Sequence, residues 1–516
     1  MLEAPTLKRL LSTAVTVVLM ALLAMAPAVQ AGPATVVQNF SGISLNDEIA
    51  LGGGAFIPPD QGSAVGPNHY MEMVNLRYAI YNKNGTVAVP ITSLNTFFAN
   101  AGVTVATNAL SDPRLVYDQS AGRWVAVAIT TNSDSNSFVL AVSQTSDPTG
   151  AWKAVAFQAN TTANNFADYP TIAVDKNGFY VATNNFQNGT TFSGVGLTTI
   201  PKADVLNAAG PVVTNRTHTD TVLSGGTAGT TPFTLAPVSD FANRDHGVII
   251  ATDGFTPATV LHRYSVLDPG SNASTLTADS PIAVLSYANN QNAHQPDGTR
   301  DLNGVDFRIG ANNVYQVGNV LWAAQSVLLG PSGNSGFDAI RWYEIDETTN
   351  LLLQTGLISD LHHDYIDPAI AANAAGDVII GFTASGDSTT TDFPGSWFAA
   401  GTTSGGVTTF GAPQMLLNGA GSYHIVGGGR NRWGDYSAIS IDPNDSNTFW
   451  IADEASIAGN PAVTARPFVW GTQISAINFP SAVPEPGTLV LLTSGLIVLS
   501  VRRRGRRKSR DTPTSL

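Results

Sequence analysis

The chain has 516 residues, 38 of them acidic and 25 basic, and it contains no cysteine. The missing thiols exclude disulfides, cysteine nucleophiles, thiolate zinc sites and iron–sulfur clusters. A net charge of −13, with no clustered Lys and Arg in the body, argues against nucleic-acid binding, which needs phosphate neutralisation.

The first predicted element is an address. Lys8 and Arg9 precede an apolar run from Leu10 to Ala28, and Val29-Gln30-Ala31 sets small residues at the positions a peptidase reads. A charged start, an apolar middle and a small-residue exit describe a secretory signal peptide over 1–31, cut by signal peptidase after Ala31. Pro27 favours the extended chain that cleavage requires. The alternative is a retained N-terminal anchor.

Residues 32–480 form the predicted extracellular body. Short β-rich runs alternate with Gly, Asn and Asp turns, and four of the runs share one layout. Asp112–Asp118 leads through Gly122 to Trp124–Ile129. Asp168–Asp175 leads through Gly178 to Phe179–Thr183, and Asp367–Asn373 through Gly376 to Val378–Phe382. Asp435–Asp442 leads to Thr448–Ala452. Pro113, Pro170, Pro368 and Ser437 each stand five positions before an Asp or Asn, which fixes one strand length for the four hairpins. Weaker copies begin at Asp60, before Tyr70–Val74, and at Gly304, before Val314–Val317; Gly247 opens a third at Val248–Thr252.

Further strands follow the hairpins, as at Phe138–Ser143, Trp152–Phe157, Trp397–Thr402 and Gln414–Leu417. Four strands per unit, repeated about seven times, predicts an all-β fold, a β-propeller of about seven four-stranded blades. One such unit cannot cover both its faces, so units stack radially. Thr35–Phe40 is expected to pair near Phe468–Gln473 and close the ring. Tandem β-sandwiches are the alternative. The run Ser146-Asp147-Pro148-Thr149-Gly150-Ala151-Trp152 resembles a sialidase-type Asp-box in its Ser, Asp, Gly and Trp, though not in its spacing. That likeness implies a structural hairpin turn and no catalysis.

Asp60, Asp112, Asp168, Asp367 and Asp435 lead these hairpins. If the hairpins carry the innermost strands, the five acids converge on one face. Such a ring suits Ca²⁺, which takes six to eight oxygens, or paired carboxylates for glycoside cleavage. It also suits plain strand-start capping by Asp. A second cluster is His362-His363-Asp364, in which neighbouring histidines on a strand face opposite ways. The run Gly427-Gly428-Gly429-Arg430-Asn431-Arg432-Trp433 offers positive-φ glycines, guanidinium clamps and a stacking indole. His363, Arg430, Arg432 and Trp433 are therefore taken as a candidate ligand cluster, against an ordinary reading as an ion pair and a core tryptophan.

The last predicted element, 481–516, is a second address. Val483-Pro484-Glu485-Pro486 precedes a fifteen-residue apolar stretch, 487–501, and then Arg502, Arg503, Arg504, Arg506, Arg507, Lys508 and Arg510. The stretch is shorter than the ~20 residues of an ordinary transmembrane helix, but snorkelling arginines let it span. The basic cluster stays cytoplasmic. These three parts in order resemble the PEP-CTERM sorting signal. The resemblance implies an exosortase as processing partner, passage through the inner membrane, and delivery to the cell surface of a Gram-negative bacterium that makes extracellular polysaccharide. An unprocessed C-terminal anchor is the alternative. Removing both ends leaves 16 basic against 35 acidic residues, a body near −19.

The expected role is binding or scaffolding in the extracellular matrix, with glycan as a partner; a glycan-active hydrolase or lyase and a purely structural protein are the alternatives. N-terminal sequencing of the exported protein should begin at Gly32. Replacing Pro484, Glu485 and Pro486 by alanine should leave the chain in the inner-membrane fraction on blotting; normal surface delivery of that variant would refute the assignment of the tail.

Overall fold

The computed structural model describes residues 33–222, 229–241, 244–304, 306–330, 336–388 and 392–480. The signal peptide (1–31), the Pro-Glu-Pro motif, the predicted helix 487–501 and the basic tail lie outside the described residues. Residues 36–478 make one unit, described here. Among the described residues no helix is long and apolar enough to cross a membrane.

Strand accounts for 57% of the structure and helix for 4%, as the turn-rich, β-branched text predicts. Seven antiparallel sheets follow one another along the chain. Sheet I comprises Gly62–Val65, His69–Val74, Arg77–Asn82 and Val87–Ser93. Sheet II comprises Leu110–Asp118, Arg123–Thr130, Ser137–Ser143 and Trp152–Gln158. Sheet III comprises Asn165–Val174, Gly178–Gln187, Thr191–Pro201 and Thr217–Val222. Sheet IV runs from Pro232–Pro237 through Gly247–Asp253 to Ala258–Leu267, which pairs with both Thr275–Ala278 and Ile282–Tyr287. Sheet V comprises Val314–Val317, Val320–Leu329, Phe337–Asp346 and Leu351–Ile358. Sheet VI runs from His363–Ala372 through Asp377–Gly386 to Gly395–Ser404, which pairs with Val407–Phe410 and Gln414–Leu417. Sheet VII comprises Ala438–Asp442, Asp445–Ala458 and Phe468–Asn478, and its fourth strand is Thr35–Ser44 from the other end of the chain. The expected pairing of the first strand with the last sheet is thus present.

Period-two alternation explains how the sheets stack. In sheet II, Trp124, Ala126 and Ala128 pack with Met71, Met73 and Ile80 of sheet I. Their neighbours Val125, Val127 and Ile129 point the other way, against Val174, Phe179 and Val181 of sheet III. Shared clusters join III to IV through Tyr180 and Ile249, IV to V through Ile250 and Leu321, and V to VI through Trp342 and Ile380. Gly381 of sheet VI lies against sheet VII, where an added Cβ would meet Ile451 at 2.5 Å. Trp450 and Ala452 of sheet VII then pack on Val65 and Tyr70 of sheet I. Each sheet covers its neighbours and the seventh covers the first, a propeller-like arrangement.

The hairpins at Asp112, Asp168, Asp367 and Asp435 open their sheets, and the leading strands of sheets II, III, IV and VI share a defect. The ladder shifts between Ser111 and Arg114, Asp168 and Thr171, Phe233 and Leu235, and Ile366 and Ala369. At these bulges Asp112, Tyr169, Thr234 and Asp367 take φ between 50° and 56°. Asp60 does the same, φ 47°, just ahead of sheet I. Pro113, Pro170 and Pro368 follow three of these residues, where the ladder is broken and no N–H is missed. Among the described residues of the expected hairpin at 304–310 none is in a strand; Val314–Val317 itself leads sheet V. Bidentate pairing of Arg308 with Asp306, at 2.7 Å twice, holds that segment in a loop.

An eighth, small sheet joins distant segments: Ala293–His294 and Arg300–Asn303 with Arg430–Arg432 and Val426–Gly427. Leu302 and Asn303 pair in parallel with Asn431 and Arg432. Gly428 and Gly429, at φ 59° and 80°, make the two-residue turn that a tight hairpin requires.

Trp124 is fully buried between sheets I and II, and its Nε1 donates to the Ser146 carbonyl at 2.9 Å. Trp124→Ala should lower stability by about 3–5 kcal/mol in urea titration; a loss below ~1 kcal/mol would contradict this packing.

Candidate functional site

The leading strands open onto a cavity of about 790 Å³. Its wall includes Asp60, Asp112, Asp168 and Asp435, so four of the five predicted acids meet there. Asp367 sits behind the wall, its Oδ2 2.6 Å from where a Cβ on Gly304 would stand. Left-handed backbone explains part of the convergence. At Asp60, Asp112 and Tyr169 one such residue turns the polar side chains beside it inward, whereas Asp435 reaches the cavity from the segment ahead of Ala438–Asp442.

Asn75 ties two of the acids together. Its Nδ2 donates to Asp60 Oδ2 at 2.8 Å, and its Oδ1 accepts from the Asp112 backbone N–H at 2.8 Å. Ser111 Oγ donates to Asp112 Oδ1 at 2.8 Å, and the Tyr436 hydroxyl to Asp112 Oδ2 at 2.9 Å. Arg432 Nη2 donates to Asp435 Oδ2 at 3.1 Å.

Below these lies a four-layer stack. The Arg308 guanidinium sits 4.3 Å from the Tyr169 ring centre. Tyr169 stacks on Tyr436 at 4.4 Å and 19°. Arg114 caps the Tyr436 ring at 3.7 Å. Two cations on the outer faces of two rings gain quadrupole attraction in a dry site. The Tyr169 hydroxyl also donates to the Asp435 carbonyl at 3.1 Å.

Burial pushes the Asp168 carboxyl up to about 7, helped by the negative charges of Asp112 and Asp435. Burial raises Asp60 and Asp112 as well, with Asp435 the next cause for each. The acids are spaced around the cavity wall, and among the described residues no three His, Asp or Glu side chains are grouped to hold a metal ion. Among the described residues the expected calcium ring is therefore not drawn together into a carboxylate cage.

The predicted ligand cluster divides. Arg430 and Arg432 line the same cavity. Trp433 does not: it is fully buried, donates from Nε1 to Thr383 Oγ1 at 3.1 Å and packs edge-on to Tyr423. Its indole offers no face to a sugar. His363 lies outside the cavity, held between Asp360 and Asp392 at 3.1 Å each, and His362 pairs with Asp387 at 3.2 Å. The Asp-box-like run forms the turn between two strands of sheet II, with Asp147 Oδ1 accepting from Thr149.

Sequence reasoning missed Tyr169, Tyr436, Arg114, Arg308 and the amides Asn75 and Asn184. A signal was present. Asp168-Tyr169 and Asp435-Tyr436 are the same dipeptide at the same place in two hairpins, and Arg114 is one of few arginines in the body.

A family model described as the PEP-CTERM protein-sorting motif matches residues 482–504. The motif implies an exported protein sorted to the surface of a Gram-negative bacterium and processed by an exosortase. No curated protein matches the chain. Among solved structures, the chain is similar to Trypanosoma rangeli sialidase in complex with sialic acid, with a TM-score of 0.36 and 10% identity over 89% of this chain and 64% of the sialidase. It is also similar to the extracellular domains 1–2 of Drosophila Semaphorin 1b, with a TM-score of 0.40 and 8% identity over 87% and 88%. The Dos1 propeller gives 0.35 and 8% over 80% and 76%.

Asp168 is not alone in being raised. Burial also lifts Glu72 and Asp453 to about 7, and Glu48 and Asp338 to about 8. In the unfolded chain such groups ionise near ~4. The folded state therefore holds protons that the unfolded state releases, and the stability they contribute is complete below that value. It is lost as pH rises through about 7 to 8. Thermal melts should show Tm falling between pH 5 and pH 8; a rising Tm over that range would contradict the assignment.

Proposed function

We propose that this is a surface-sorted, seven-bladed β-propeller that binds an extracellular glycan in the cavity at the starts of its inner strands. The seven sheets are its blades, with the first strand of each innermost and the strand Thr35–Ser44 closing the ring. The observation that carries the binding role is the composition of the cavity wall. Carboxyls, guanidinia and the side chains of Asn184, Asn292 and Asn303 line it together with Phe56 and Phe186. Sugar hydroxyls need donors and acceptors in fixed directions, while the C–H face of a sugar packs on an aromatic ring. The sorting motif supports a ligand met outside the cell.

The binding reading is favoured over cleavage because Asp112 and Asp435 are engaged by Ser111, Tyr436 and Arg432. One observation supports a glycosidase instead. Asp168 keeps its proton up to about 7 beside Asp435, and an acid held protonated near a second carboxylate is what glycoside cleavage uses.

Mature protein applied to an extracellular-polysaccharide panel should be retained. Arg432→Ala and Asn292→Ala should each weaken retention about tenfold, near 1.4 kcal/mol, with little change in Tm. No retention on any polysaccharide would overturn the binding role. New reducing ends that disappear in Asp168→Asn would replace it with the hydrolase.

A further inference from the structure

The charges of the cavity do not balance locally, and the imbalance points to the kind of glycan. Five carboxyls, those of Asp60, Asp112, Asp168, Asp306 and Asp435, line it against three guanidinia, those of Arg308, Arg430 and Arg432. Arg308 is bidentate with Asp306, and Arg432 pairs with Asp435. Arg114 gives Nε to the Pro113 carbonyl at 2.7 Å and Nη2 to the Asp60 carbonyl, not its carboxylate, at 3.3 Å. Among the described residues no Lys, Arg or His comes within ion-pair distance of the carboxylates of Asp60, Asp112 or Asp168. Those three acids share the cavity wall without an ion pair at contact distance; Arg432, Arg114 and Arg308 attract Asp60, Asp112 and Asp168 only from farther away.

A second observation is independent of that count. Asp60 is 4% exposed and lines the cavity, yet its Oδ1 has no hydrogen-bond partner. Its other oxygen is fixed by Asn75, so the free one is held in place. A buried acceptor left unsatisfied costs on the order of 1–3 kcal/mol, and a positively charged donor is the partner that gains most there.

We propose that the ligand is an amino-sugar glycan whose ammonium group is received by Asp60, Asp112 and Asp168. This rests on the glycan-binding reading and names the sugar class. An inorganic cation fits poorly: it needs six to eight oxygens at about 2.3–2.6 Å, and the acids are not grouped that way. A cavity of about 790 Å³ takes sugar rings, and an ammonium supplies three donors to carboxylates spaced apart. Asn75 acts as a positioning residue, since it holds Asp60 and Asp112 on one side of the cavity.

The proposal has a proton signature. The unliganded cavity offsets its negative charge by keeping protons, as the raised Asp168 shows. An arriving ammonium takes over that task, so binding releases protons near pH 6.

Titration calorimetry of the mature protein at pH 6 compares a glucosamine hexamer with an N-acetylglucosamine hexamer. The deacetylated oligomer should bind at least tenfold tighter, with heats that vary with buffer ionisation and reveal proton release. Asp60→Asn and Asp168→Asn keep the side-chain shape; each should erase the preference while the melting curve stays intact. Equal binding of both oligomers would overturn the ammonium assignment and leave the glycan reading standing. Binding of neither oligomer, with retention on a neutral polysaccharide, would do the same. Stabilisation by CaCl₂ alone, lost in Asp60→Asn, would overturn it in favour of an inorganic ion.

Discussion

A β-strand that passes through the left-handed region for one residue breaks its own pleat, and the leading strands of sheets II, III, IV and VI do so at matching places. The cost is on the order of 1–3 kcal/mol for each non-glycine residue so held. Local contacts offset it. Asp112 illustrates how: its N–H goes to Asn75, and its carboxylate accepts from Ser111 and Tyr436. Removing the bulges would let the ladders run straight to the strand ends and turn these side chains back into the interfaces between sheets. The cavity exists because the strands are interrupted before they close it.

The stack of Arg308, Tyr169, Tyr436 and Arg114 makes that interruption tolerable. It draws residues from sheets II and III, from the approach to sheet VII and from the loop before sheet V into one column. Without cysteine, cross-linking between these segments has to be noncovalent. Rings sandwiched by guanidinia provide attraction that needs no solvent and no partner carboxylate. Arg114 is thereby used as structure, while Arg308, Arg430 and Arg432 face the cavity beside the acids.

Much of the fold was readable in the text. Pro113, Pro170 and Pro368 marked the interrupted position, and alternating runs such as Trp124–Ile129 marked strands buried on both faces. The closing strand could be foreseen because Thr35–Phe40 had no local partner. Four of the five leading acids met as expected, since equivalent positions of repeated strands point to one place. Other features were hidden by distance in sequence. The small sheet pairs Leu302 with Asn431 in parallel, and no local pattern announces a contact across more than a hundred residues. Trp433 looked like a ligand platform because of its glycine- and arginine-rich neighbours. Its burial depends on Tyr423 and Thr383, which only the tertiary fold supplies. His363 was separated from Arg430 for the same reason: proximity in composition is not proximity in space.

Sheet VII is assembled from both ends of the chain, Thr35–Ser44 beside Phe468–Asn478. A chain made from its N-terminus completes its opening strand long before the strands it must join. Until they follow, the opening strand has an unpaired edge, and edges of this kind invite pairing with other chains. The charge of residues 32–480, near −19, keeps such unfinished chains apart. The acidity of this protein thus serves two moments in its life: it guards the unfinished chain against its neighbours, and afterwards it lines the finished cavity.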